Sequence, residues 1–249
     1  MARETLDAKY GGEPWREGLI AMFEEEGLPA PVLAELDETT RQTSTNTGLT
    51  LCLAIEELAR VDSSLAITLE AAVGLGAMPI YRFGSEEQKQ KWLPQLASGE
   101  ALAGFGLTEP EAGSDAGGTR TTAKLENGEW VINGSKSFIT NSGTPITSFV
   151  TVTAITGETD GRKEISAIIV PNGTPGYEVG KHYRKMGWRH SDTHELSFND
   201  CRVPEENLLG ERGRGFANLH KILDGGRIAI AALAVGLAQG CVDECVKYA

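Results

Sequence analysis

The chain is short of basic residues: 23 Lys and Arg stand against 35 Asp and Glu, a net charge of -12, and no basic tract occurs anywhere in its 249 residues. Nucleic acids are held mainly through Lys and Arg contacts to phosphate, so this balance excludes a nucleic-acid partner and disfavours an anionic membrane surface. Long apolar runs are lacking too. The longest candidate, Ile228 to Ala238, falls well short of the roughly 20 apolar residues a spanning helix needs, and predicts a soluble chain with no membrane association. Cysteine is scarce, with Cys52, Cys201, Cys241 and Cys245 alone, and the N-terminus has no basic-then-apolar leader. Both features point to a reducing, cytoplasmic setting. Cys241 and Cys245 lie four apart on an apolar helical segment with no second Cys or His pair nearby, so they read as buried helix thiols and not as metal ligands. His190 and His194 share that spacing but sit in a turn-rich stretch leading into a strand, where a loop role outweighs a metal site. With only 10 Pro, 30 Gly and Leu, Ile and Val throughout, the chain has the means to build a core, and disorder is not expected.

What is present divides into three stretches. The first 40 residues hold ten acids and three bases, a net of -7, which reads as a solvated acidic face. From Leu49 apolar residues recur at helical spacing to Met78, enough for two helices, and Ser85 with Gln88 three residues on forms a capping box for a short helix ending near Gly99. At Leu102 the period changes. Asn127-Gly128 and Asn133-Gly134, flanked by short β-type runs, predict two tight turns of a meander, followed by strands at Ser148 to Ile155, Ile165 to Val170 and His194 to Phe198. Helical periodicity returns after Arg214 and runs to Val246, where an amphipathic helix of this length lacks a partner and suggests a fragment. The expected fold class is α+β: an N-terminal helical domain at residues 1–101, atypical up to residue 47, an antiparallel β domain at 102–212 and the start of a C-terminal helical domain at 213–249.

The Gly104 to Gly118 loop packs glycines and hydroxyls into a turn-prone junction between helices and sheet. By composition it is a ligand loop or a plain interdomain turn in equal measure. It is neither a dinucleotide fingerprint nor a P-loop, since no Gly-x-Gly-x-x-Gly follows a strand and no Gly-Lys-Ser or Gly-Lys-Thr occurs. As a string, however, Leu107-Thr108-Glu109-Pro110-x-Ala112-Gly113-Ser114-Asp115, followed by Asn133-Gly134-x-Lys136-x-Phe138-Ile139-Thr140-Asn141, resembles the signature of the acyl-CoA dehydrogenase family. Ile55 to Asp62, Phe83 to Lys89, Lys185 to Arg189, Asp200 to Pro204 and Asp224 to Arg227 add to the likeness in the family's order. The resemblance runs from about Gly48 to Ala249. Tyr10-Gly11-Gly12 also has a familiar look, but residues 13–47 read as an insertion, a divergent start or a gene-model error.

The resemblance implies an FAD enzyme that removes two hydrogens from Cα and Cβ of an acyl thioester. It would place Phe105, Leu107, Thr108, Gly113, Ser114, Phe138, Ile139 and Thr140 around the flavin. Phe138 would pack on the isoalloxazine where many relatives have Trp, and Thr140 would donate to flavin N5. Ser114, Asp224 and Arg227 would hold the acyl-CoA. Taken without the family string, Phe138 is a strand core residue and Asp224 with Arg227 a surface pair three residues apart.

The resemblance also implies what is missing. The catalytic Glu usually lies beyond Ala249, and the position where a minority of relatives carry it, one residue before the helix Arg, is Gly226 here. No catalytic residue is therefore expected in this chain, and no dehydrogenase turnover by it alone. Gly226 and the Asp-Cys-Arg-Val-Pro string are more similar to short-chain or branched-chain members. Relatives imply an electron-transfer flavoprotein as acceptor and a homotetramer built on the C-terminal bundle. Two alternatives stand beside this reading: an acyl-CoA oxidase or flavin monooxygenase of the same fold, and a non-catalytic FAD- or CoA-binding relative.

Overall fold

The computed structural model describes residues 46–159 and 161–249, so the acidic first 40 residues and nearly all of the 13–47 stretch lie outside it. Helix α1 (Asn46–Ala59) leads into α2 (Ser63–Glu70), which continues without a break through a π-helical stretch at Ala71–Ala77 into α3 (Met78–Phe83). Asp62 caps α2 by accepting from the Ser64 N–H at 2.7 Å. Helix α4 (Glu86–Ala97) begins at the expected capping box: the Gln88 N–H donates to Ser85 Oγ at 3.2 Å, and the Ser85 N–H donates to Gln88 Oε1 at 3.1 Å.

Eight strands follow: β1 (Leu102–Gly106), β2 (Thr122–Glu126), β3 (Glu129–Thr140), β4 (Thr147–Thr159), β5 (Arg162–Pro171), β6 (Tyr177–Val179), β7 (Thr193–Pro204) and β8 (Leu208–Leu209). They form one sheet in the order β6-β7-β3-β2-β4-β5-β8, with β1 alongside β4. Most pairings are antiparallel, as expected, but β1 runs parallel to β4, and Thr122 of β2 pairs parallel with Ile155. Both faces of the central strands are covered. Val150, Val152, Ile168 and Val170 point into one core with Trp130, Leu196 and Phe198, while Phe149, Ala167 and Ile169 pack with Ile80 and Trp92 of α3 and α4. Two-sided burial explains why β5 reads as an unbroken apolar run from Ala167 to Val170, and why the alternating Thr151 and Thr153 of β4 are buried as well.

The two Asn-Gly pairs part company. Asn127 and Gly128, both at positive φ, make the tight β2–β3 turn as predicted. Asn133-Gly134 is no turn, which corrects that expectation: it lies inside β3, where the register with β7 slips between Ile132 and Gly134. The Asn133 side chain donates to Asp200 Oδ1 at 3.0 Å and accepts from the Asp200 N–H at 2.9 Å, so its turn-forming amide bridges strands instead. Gly134 is required there because a Cβ would stand 2.5 Å from Thr121 Oγ1.

Helix α5 (Gly215–Tyr248) spans 34 residues and packs on α1 and α2 through Ala229 and Leu233 against Ile55, Ala59, Ala66 and Ile67. One expectation is overturned along these helices, and a second, that no stretch approaches the length and apolarity of a spanning helix, is corrected. Cys241 and Cys245 are exposed, not buried, because the last turns of α5 have apolar residues on faces that no described element covers. The rods Ser63–Phe83 and Gly215–Tyr248 each hold an 18-residue stretch of mean hydropathy 1.4 and 1.5, and by length and composition are long and apolar enough to cross a membrane. A search for unbroken apolar runs overlooks them, because interspersed Gly, Ala, Ser and Thr keep the average high. The first rod carries the buried Glu70 and packs on β1 and α5, as a core helix does.

Candidate functional site

The site lies where the helical layer meets the mouth of the sheet. Ala71, Leu75 and Leu223 from the helices, Phe105, Leu107 and Thr108 from β1 and the loop after it, and Phe138, Ile139 and Thr140 from the end of β3 line one pocket of about 170 Å³, together with Ala103. Six of the eight residues expected around a flavin thus share one cavity. Gly113 and Ser114 sit on the exposed part of the same loop, away from the pocket wall. Neither the Thr108 nor the Thr140 hydroxyl has a protein hydrogen-bond partner among the described residues, so both are left for a ligand.

An ion pair holds the loop. Lys136 of β3 is wholly buried, and its Nζ donates to Glu109 Oε1 at 2.7 Å, Thr153 Oγ1 at 3.0 Å and the Leu107 carbonyl at 3.3 Å. Glu109 also accepts from the Arg120 and Thr121 N–H groups at 2.6 and 3.1 Å and from the Thr119 hydroxyl. Burial alone would raise the Glu109 carboxyl, but the hydrogen bonds from Lys136 and Thr119 and the Lys136 charge hold it well below its usual range. Burial lowers the Lys136 ammonium, and Glu109 opposes that shift. The Ser137 N–H donates to the Thr108 carbonyl at 2.8 Å, tying the loop to β3 a second time. Glu109 and Lys136 both stood in the strings quoted above, but no role attached to them; a Lys at an inward-facing strand position was the available signal.

The end of β3 is shaped by a second set of contacts. The register with β7 slips between Lys136 and Ile139, and Phe138 adopts a φ of 60°, uncommon for a residue with a side chain. Phe138 is 66% exposed, so it is no strand core residue. Beyond Thr140, the Gly143 N–H donates to Asp192 Oδ2 at 2.8 Å, and His194 Nε2 lies 2.8 Å from Asp192 Oδ1. Asn141 Nδ2 donates to the Thr68 carbonyl of α2 at 3.1 Å, joining helical layer and sheet next to the pocket.

Asp224 and Arg227 are exposed on α5 and paired with each other. Gly226, on the same turn, faces a residue the sequence reading missed. Glu70 is only 3% exposed, and its Oε1 stands 3.3 Å from where a Cβ at 226 and 2.9 Å from where a Cβ at 74 would be. Two glycines on two helices make its niche. Its carboxyl has no hydrogen bond among the described residues, and burial pushes it up to about 7.

Sequence models of acyl-CoA dehydrogenases match the chain in three consecutive stretches: the N-terminal domain at residues 15–100, the middle domain at 104–201 and the C-terminal domain at 213–249. The chain belongs to the acyl-CoA dehydrogenase family. It is 52% identical over 202 residues to the probable acyl-CoA dehydrogenase YngJ of Bacillus subtilis, covering 81% of this chain and 53% of that protein. Among solved structures it is similar to butyryl-CoA dehydrogenase from Megasphaera elsdenii, with TM-score 0.77 and 46% identity over 82% of this chain and 53% of that one. A chain in the structure of the electron transferring flavoprotein of Acidaminococcus fermentans gives TM-score 0.75 and 49% identity over 79% of this chain and 51% of that one. The chain spans about half the length of the curated relatives it matches. The match from residue 15 corrects the expectation that likeness begins near Gly48, and of the three readings of residues 13–47 it agrees with a divergent start.

Proposed function

We propose that this chain supplies the flavin contacts and part of the thioester contacts of an FAD-dependent acyl-CoA dehydrogenase that oxidises the Cα–Cβ bond of a short- or branched-chain acyl-CoA to the 2-enoyl-CoA. The observation that carries this reading is the single pocket holding Phe105, Leu107, Thr108, Phe138, Ile139 and Thr140 together. Its donor set fits a flavin: two unpaired hydroxyls, a flat aromatic face and an apolar helical wall. FAD, held there by these residues, would supply the two-electron acceptor. In this reading the Thr140 hydroxyl donates where negative charge grows, and Thr108 with the loop to Ser114 holds the polar ring edge and the phosphates. Ala71, Leu75 and Leu223 keep water from the acyl chain. The exposed Asp224–Arg227 pair costs little to open, so Arg227 is free to meet a CoA phosphate.

In this reading position 226, which holds Gly, cannot accept the Cα proton, and no catalytic base is assigned within the chain. Likeness to butyryl-CoA dehydrogenase supports a short acyl chain, and likeness to a chain from an electron transferring flavoprotein structure supports such a protein as electron acceptor. A homotetramer through the C-terminal helices and a cytoplasmic setting, in keeping with four free thiols, complete the reading.

The test is the visible absorption of the purified 249-residue chain mixed with FAD, before and after anaerobic addition of butyryl-CoA. A protein-bound flavin band that butyryl-CoA does not bleach is expected. Failure to bind any flavin overturns the reading of the pocket. Bleaching would place a base within the chain, with Glu70 the first carboxyl to replace.

A further inference from the structure

We propose that Tyr183 is a positioning residue that fixes the Phe138 ring for flavin stacking, an inference that rests on the flavin reading of the pocket given above. Phe138 lines the pocket, yet its backbone sits at a φ of 60° in a bulge and its ring is two-thirds exposed. Nothing in that geometry by itself holds the ring to one orientation. The Tyr183 ring does: it stacks on Phe138 with centroids 4.9 Å apart and planes 22° from parallel. Offset parallel stacking is a favourable arrangement for two aromatic rings, and it leaves the opposite face of Phe138 for a third planar system.

Tyr183 is itself anchored. Its N–H donates to the Thr193 carbonyl at 3.0 Å, and Thr193 is the β7 residue paired with Thr140. On either side, the Gly180 N–H donates to the Glu195 carbonyl at 2.8 Å, and Lys185 Nζ donates to the Ser191 carbonyl at 2.7 Å and to Thr193 Oγ1 at 2.5 Å. The 180–185 loop is therefore tied to β7 at three points, and the same strand that registers the Thr140 hydroxyl registers the ring behind Phe138. Stacking surface and hydrogen-bond donor are set by one frame.

The experiment is FAD titration of the full chain, read by quenching of flavin fluorescence and by the visible circular dichroism of the bound flavin, in a double-mutant cycle of Tyr183→Leu and Phe138→Leu with Tyr183→Phe as the conservative variant. Tyr183→Leu is expected to weaken FAD binding between about two- and tenfold and to alter the flavin dichroism, with far-ultraviolet dichroism unchanged. Tyr183→Phe should restore both within about twofold, because the ring and not the hydroxyl does the stacking. In the Phe138→Leu background, Tyr183→Leu should have no further effect. Equal losses in both backgrounds, or no loss in Tyr183→Leu, would overturn the proposal while leaving the flavin pocket intact. A wild-type chain that binds no FAD would overturn the pocket reading and this one with it.

Discussion

Glu70 is the residue whose chemistry departs most from its sequence context. On a helix, a Glu between Leu69 and Ala71 reads as one more solvated acid in a chain that has 35 of them with Asp. It is buried because α5 returns from more than 150 residues away and lays Gly226 over it, a tertiary fact that no local pattern carries. With its folded value near 7 and an ordinary value of 4.5, ionising Glu70 opposes folding. The sign follows directly: stability is undiminished below pH 4.5, falls as pH rises through 7, and is lower by about 3 kcal/mol above that. Glu70→Gln has no proton to lose, so it should match wild type in urea at pH 5 and exceed it at pH 8. Parallel pH dependence in the two proteins would show that Glu70 is solvated after all.

At the scale of elements, the contact between α1 and α5 rests on missing side chains. A Cβ at Gly236 would stand 2.0 Å from the Glu56 carbonyl oxygen, and one at Gly240 2.4 Å from that of Arg60. Helix propensity alone predicts that Gly to Ala inside a helix gains up to about 1 kcal/mol. For Gly236→Ala the clash should reverse the sign and cost about 2 kcal/mol, whereas Gly225→Ala, with nothing within 4 Å, should keep the gain. Equal thermal midpoints for the two variants would mean that the helices do not meet so closely. The same contrast explains what could be read in advance. The Ser85 capping box and the Asn127-Gly128 turn are decided by neighbours three or fewer residues away, and both formed as expected. Asn133-Gly134 has the same local chemistry, but Asp200 and Thr121 on neighbouring strands recruited it into a bulge. In the site, the loop and the end of β3 were legible as strings. The groups that hold them, Lys136 with Glu109 and Asp192 with His194, depend on which strands become neighbours.

For the whole molecule, charge and apolar surface pull in opposite directions. Helix α5 is about 51 Å long and buries Leu219, Ile222, Ala229 and Leu233 on one side. Val235, Leu237, Val242 and Val246 remain exposed on the others. A helix apolar on more than one face is normally enclosed, so this surface should draw chains together. The net charge of -12 resists that, but only across distances that salt screens. Association in light scattering should therefore strengthen as ionic strength rises, opposite to what an assembly held by ion pairs would do. Replacing Val235, Val242 and Val246 with Lys should return the chain towards monomer. Cys241 and Cys245 are exposed on the same helix, so the measurement belongs in reductant; association that vanished there would be disulfide-linked. A monodisperse wild-type monomer at high salt would mean that other parts of the chain cover this face of α5.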